Sequence, residues 1–194
     1  MNNHLSEIKN TIESAVVTKQ LIINDIALLE CLDQAIGLCV GSLQAGGKIW
    51  FAGNGGSAAD AQHLAAELSG RFYLDRKSIP AEALHVNTSY MTAVANDLGY
   101  EKVYARLLDG CARPGDVLVA ISTSGNSANS LEAAKLARSK GLKVVGLTGK
   151  TGGTLRECCD VLLNVPSTDT PRIQECHIMM GHILCEQIEK ELFG

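Results

Sequence analysis

The sequence contains no Cys-x-x-Cys pair, no excess of positive charge, no internal repeat and no low-complexity linker. Each absence narrows the possibilities. Seven cysteines, an odd number and several among apolar neighbours, read as reduced, buried small hydrophobes rather than a disulfide framework or a thiol active site. A formal net charge of -4 argues against a protein that binds nucleic acid by neutralising phosphates. It leaves a small phosphorylated ligand open, because backbone amides and hydroxyls hold phosphate without net positive charge. No apolar run approaches the roughly 18 residues of a membrane span, and the polar start MNNHLSEIKN lacks a signal-peptide core. A cytoplasmic protein with no membrane and no nucleic-acid partner is expected.

What is present is a globular composition. The 194 residues are 46% apolar and 20% charged, enough for a single domain over 1–194 with a substantial core. Residues 5 to 45 carry helical periodicity: Ile8, Ile12, Ala15 and Val16, then Ile22, Ile26 and Leu29, mark one apolar face. Leu32, Ala35, Ile36 and Val40 form a second run. These helices read as packing or assembly elements, ahead of a core over 46–194. From Lys48 the rhythm changes to short apolar strands, each followed by a polar turn and a helix. The strands are expected in 48–52, 80–86, 115–121, 142–149 and 159–165. Helices are expected over 57–70, 89–111 with a break near Gly99, 127–140 and 171–192. Apolar strands alternating with helices indicate α/β architecture with a parallel sheet covered on both faces. In such sheets ligands bind at the carboxyl ends of the strands.

Two turns at that edge carry anion chemistry. GNGGS, Gly53 to Ser57, joins a strand to a helix. Its glycines allow close backbone approach, and the helix N-terminus offers N–H groups and partial positive charge. It is neither Gly-x-Gly-x-x-Gly nor a P-loop, so dinucleotide and nucleoside triphosphate readings are weak; a tight turn with no ligand fits it equally well. ISTSGNS, Ile121 to Ser127, sets the hydroxyls of Ser122, Thr123, Ser124 and Ser127 at the start of another helix. Four hydroxyls exceed what a helix cap needs, which favours a neutral phosphate cradle.

Two helices carry the reactive candidates. His63 and Glu67 stand at i and i+4 in AQHLAAEL and share a face. Apolar neighbours imply a largely buried helix, and buried ionisable groups need a partner, a metal or a task. The pattern is not His-Glu-x-x-His, so zinc-protease chemistry does not carry over. In RIQECHIMMGHI, Gln174 and His182 lie about 80° apart and about 12 Å apart in rise, so they face one cleft at different heights. His177 turns about 140° from His182 and is expected to face elsewhere.

Taken together, GNGGSAADAQHLAAELSGR, VANDLGYEKVYAR, ISTSGNSAN and TPRIQECHI resemble the phosphoheptose isomerases of the sugar isomerase (SIS) superfamily, in matching order from about residue 45 to the C-terminus. The resemblance implies a three-layer α/β sandwich, a flavodoxin-like SIS domain with a five-stranded parallel sheet, assembled as a homotetramer with active sites between subunits. It implies conversion of sedoheptulose 7-phosphate to D-glycero-D-manno-heptose 7-phosphate. That is the first step toward the ADP- or GDP-heptose used for lipopolysaccharide or other surface polysaccharide. It gives phosphate contact to Ser57, Ser122, Thr123, Ser124 and Ser127, and sugar contact to Asn54, Gly55, Gly56, Asn96 and Asp97. Glu67 and His182 become the acid–base pair, and His63, Glu67, Gln174 and His182 a zinc site found in some members; Glu67 and Gln174 also reach substrate. Two alternatives stand beside it. One is a relative of the same fold that binds the bacterial replication initiator without catalysis and lacks an equivalent of Glu67. The other is an isomerase of a different phosphosugar.

Overall fold

The structure is a computed structural model that describes residues 4–194. Five strands form one wholly parallel sheet: β1 (Ile49–Gly53), β2 (Ala81–Ala83), β3 (Val117–Ile121), β4 (Lys143–Thr148) and β5 (Val161–Asn164), in the order β2-β1-β3-β4-β5. Side chains alternate across it as the pleat requires. Ile49, Phe51, Val117, Val119, Val145 and Leu163 face one core. Trp50, Ala52, Leu118, Ala120 and Val144 face the other. Both faces are therefore dry, which is why the strands read as continuous apolar runs rather than alternating ones.

The first core is covered by α2 (Ile26–Gln44), α3 (Gly56–Ser69) and α7 (Thr170–Phe193). The second is covered by α4 (Thr88–Leu98), α5 (Val103–Cys111) and α6 (Ala128–Ser139). The three-layer α/β expectation holds. α1 (His4–Ile23) packs on α7 and α2.

Three local readings need correction and one holds. The N-terminal break falls at Asn24–Asp25, where the Asp25 carboxylate accepts the Leu28 N–H at 3.0 Å and caps α2. The apolar periodicity runs through that break and conceals it. Strand β2 is only Ala81–Ala83, because Asn87 already caps α4. The 89–111 helix is split at Gly99, as expected, with a 3-10 turn at Tyr100–Lys102. Finally, α2 is long and apolar enough to cross a membrane by length and composition, contrary to the reading that no such run exists. Here its Leu28, Leu32, Ala35 and Cys39 are buried against the sheet side of the core, while Glu30 and Asp33 are exposed.

The order β2-β1-β3 creates a switch point in the sheet. The chain leaves β1 toward one edge and returns to add β3 on β1's other side, so the crossover direction reverses between β1 and β3. At such a switch point the turns diverge and open a crevice outside the carboxyl ends. The turns that follow β1 and β3 are GNGGS and STSGNS.

Candidate active site

Gly55 opens α3 with φ 56°, a backbone state open to glycine, and no side chain caps the helix there. Asn54 beside it is locked in place. Its amide pairs reciprocally with that of Asn129, both bonds at 2.8 Å. Its Oδ1 also accepts from Tyr100 at 3.0 Å and Tyr104 at 3.2 Å, and Tyr104 donates as well to the Gly53 carbonyl. The pair ties the turn after β1 to the first turn of α6, so the GNGGS and STSGNS turns are held in fixed relation.

The second turn is equally constrained. Gly125 has φ 67° and packs so closely on the Gly152 carbonyl that a Cβ would stand 2.0 Å from it. Ser127 occupies the N-cap position of α6 but makes no capping bond; its Oγ meets Ser122 Oγ at 3.0 Å. A hydroxyl left out of capping is available to a ligand. Ser57 and Ser122 are buried, Thr123 and Ser127 half-buried, and Ser124 exposed. Beside the turn a cavity of about 280 Å³ is lined by Thr123, Ser124, Asn126, Lys150, Ser167 and Thr168. The last three were not anticipated, although the polar run Ser167–Asp169 ahead of α7 was a visible signal.

His63, Glu67 and His182 converge. His63 Nε2 lies 2.9 Å from His182 Nε2 and 3.2 Å from Glu67 Oε1. The rings meet edge to face with centroids 5.1 Å apart. The approach depends on Gly181: a Cβ there would lie 2.5 Å from Leu64 Cδ1, so a bare backbone lets α7 press against α3. Gln174, two turns earlier on α7, packs its amide on Gly56, where a Cβ would meet Nε2 at 2.5 Å. His177 points away, is fully buried, and bonds the Thr148 carbonyl through Nε2 at 3.1 Å, as its rotation required.

One expectation fails. The His63–Glu67 face is not buried: the His63 side chain is 48% and Glu67 23% accessible. The buried stripe of α3 runs through Ala61, Leu64, Ala65 and Leu68, and the pair lies at its edge. Asn96 and Asp97 are exposed and hydrogen-bond each other at 2.8 Å.

The three ligating atoms lie within 4.8 Å of one another and form a candidate metal group. Two imidazole nitrogens and a carboxylate oxygen are a zinc donor set. Ligand nitrogens on a tetrahedral zinc stand about 3.3 Å apart, given bonds of about 2.0–2.1 Å. The 2.9 Å spacing is therefore within a small ring rotation of what the ion requires.

A SIS domain profile matches residues 13–149. A phosphoheptose isomerase of Burkholderia pseudomallei is 47% identical over 193 residues, covering 100% of this chain and 98% of its own. The chain belongs to the phosphoheptose isomerase family of SIS-domain proteins. A family member from Rhodospirillum rubrum is 56% identical over 159 residues, 82% of this chain and 85% of that one. The solved phosphoheptose isomerase of Neisseria gonorrhoeae superposes with a TM-score of 0.91 at 41% identity, over 97% of this chain and 100% of that one. The Francisella tularensis enzyme gives 0.93 at 34% identity, with the same coverage. These phosphoheptose isomerases thus share both sequence and fold with this chain.

Proposed function

We propose that this enzyme, a phosphosugar isomerase, converts sedoheptulose 7-phosphate to D-glycero-D-manno-heptose 7-phosphate. The observation that carries the reading is the convergence of His63, Glu67 and His182, two of them on the helix whose first turn carries Ser57. Ser57 stands in the first turn of α3 and His63 lies about 9 Å further along it by helix rise. A sugar with phosphate at one end and a carbonyl at the other spans that distance.

Phosphate is held by Ser57, Ser122, Thr123, Ser124 and Ser127, with the N-termini of α3 and α6 supplying positive dipole ends. Gly55 and Gly56 bring bare backbone to the sugar, and Asn54, Asn96, Asp97 and Gln174 complete its contacts. Isomerisation moves one proton from C1 to C2 and another between their oxygens, through an enediol(ate). Glu67 takes the proton from C1 and returns it to C2. His182 serves the oxygens. The Glu67 carboxylate has two oxygens: Oε1 faces His63 and Oε2 remains for this transfer. His63, Glu67 and His182 would hold a zinc ion, while the Gln174 amide, expected as a fourth ligand, packs instead on Gly56 at the start of α3. Such an ion supplies Lewis-acid polarisation of the carbonyl when bound.

The exposed apolar residues of α1, Leu5, Ile8, Ile12, Val16, Val17 and Leu21, support assembly as a homotetramer with sites between subunits. Burial of one face of α2 as a core helix supports a cytoplasmic location. The product is a precursor for the heptose of lipopolysaccharide or another surface polysaccharide. The replication-initiator-binding reading is disfavoured by the presence of Glu67 within the His63–His182 group.

Glu67→Gln tests the assignment. It keeps shape and removes the base, so kcat for sedoheptulose 7-phosphate falls by about 10²- to 10⁴-fold with the far-UV circular dichroism unchanged. Turnover within a few-fold of the unsubstituted enzyme would refute the role given to Glu67.

A further inference from the structure

Outside the reacting group, a buried ion pair stands behind the site. Arg76 and Glu189 meet at 2.9 Å, with side chains only 2% and 1% accessible. The Glu189 carboxylate also accepts the backbone N–H groups of Phe72 at 3.2 Å, Tyr73 at 2.7 Å and Leu74 at 2.9 Å. Burial alone would raise its pKa; the three N–H groups and Arg76 outweigh that and hold it below the usual glutamate range. Arg76 donates in turn to the carbonyls of Glu67 at 3.0 Å, Leu68 at 2.7 Å, Gly70 at 3.1 Å and Lys77 at 3.0 Å. Its guanidinium therefore caps α3 at the C-terminal end, where the last carbonyls lack partners within the helix. One of those carbonyls belongs to Glu67 itself.

The segment so held runs from Gly70 to Pro80, between α3 and β2. Connections of this kind usually take about 2–6 residues. Over its first half its own apolar side chains do not anchor it: Tyr73 is 71% and Leu74 37% accessible, whereas Ile79, next to β2, is buried in the core. The ring that does make a contact is Phe72, whose centroid lies 5.8 Å from that of His182. Glu189 lies seven residues beyond His182 on α7, two turns along the same face. So α7 presents His182 and also anchors the loop whose aromatic ring leans on His182. A buried ion pair is seldom the most stabilising filling for a core, and its directional bonds fit a device that sets geometry.

We infer that Arg76, Glu189 and Phe72 are positioning residues for the isomerase site. The ion pair fixes the last turn of α3, which carries Glu67. It also holds the 70–74 turn so that Phe72 braces the His182 ring. The inference rests on the isomerase reading above and adds three residues that never touch substrate.

The test compares Phe72→Ala, Arg76→Lys and Glu189→Gln with the unsubstituted enzyme. Phe72→Ala leaves the ion pair intact, so it reports on bracing even if a pair variant fails to fold. The readouts are kcat and KM for sedoheptulose 7-phosphate, and zinc affinity by chelator competition, both corrected for the folded fraction by near-UV circular dichroism. Expected are a fall of about 10-fold or more in kcat or in zinc affinity, the scale seen when groups orienting a metal or catalytic side chain are lost, with KM little changed. Arg76→Lys rescues poorly, because an ammonium cannot span four carbonyls and a carboxylate in one plane. Undiminished kcat and zinc affinity per folded molecule in Phe72→Ala and Arg76→Lys would overturn the inference while leaving the isomerase reading intact. Absence of turnover in the unsubstituted enzyme would refute that reading and the inference with it.

Discussion

His177 and His182 share α7 yet live in different surroundings. His177 is sealed in the core, and desolvation, only partly opposed by its bond to the Thr148 carbonyl, lowers its pKa from 6.5 to about 4. The folded protein then refuses a proton that the unfolded chain accepts. Stability is unaffected above about pH 6.5 and falls as the pH drops toward 4, by up to about 3 kcal/mol. His177→Gln keeps a donor for the carbonyl and removes the titration. Chemical denaturation at pH 7 and pH 4.5 should show an acid loss about 2–3 kcal/mol smaller in the variant; equal losses would contradict this account of His177. At this scale the sequence was informative wherever chemistry demands an unusual residue type. A histidine and glutamate one turn apart, and hydroxyls in excess of a cap, announce themselves. Phe72, Arg76, Asn129 and Glu189 did not, because a phenylalanine, an ion pair and an amide pair look ordinary until the fold brings their partners together. Of the cysteines, Cys39, Cys158, Cys176 and Cys185 are buried as expected, and burial pushes the Cys39 thiol up to about 12. Cys111 is exposed instead.

Among the elements, the pairing of α3 with α7 decides whether a site exists. Gly181 is its hinge of contact, because any side chain there must displace Leu64. Gly181→Ala gains up to about 1 kcal/mol in helix propensity but forces repacking that costs about 1–3 kcal/mol. A net loss near 1 kcal/mol is expected, read as a fall of about 2–4 °C in Tm. Activity should fall further than stability, since the same displacement separates His63 from His182; an alanine variant as active as the parent would show that the close approach is dispensable. The alternation of strands and helices was legible because β1, β3 and nearly all of β4 are buried on both faces and the turns that follow these three strands carry glycines. The boundary between α1 and α2 was not, since apolar periodicity is continuous there and only Asp25 marks the cap. Helix α1 was legible as a helix, and its Ile8, Ile12 and Val16 are exposed in the single chain.

Across the whole molecule, the sheet order places GNGGS and STSGNS on either side of the switch point, and α7 returns over α3 to bring His182 to His63 across 119 residues of sequence. Local patterns carry no record of that return, which is why Gln174 and His182 were placed from the sequence only as facing one cleft. On the proposed function the molecule is a phosphate cradle at the carboxyl edge of a sheet, with an acid–base group about two helical turns along α3 from Ser57. The most direct test is turnover of sedoheptulose 7-phosphate by the purified, folded protein, followed by proton NMR with a chelator present and after zinc is restored. The account predicts that D-glycero-D-manno-heptose 7-phosphate appears, that the chelator suppresses it and that zinc brings it back. No conversion with or without zinc would contradict it.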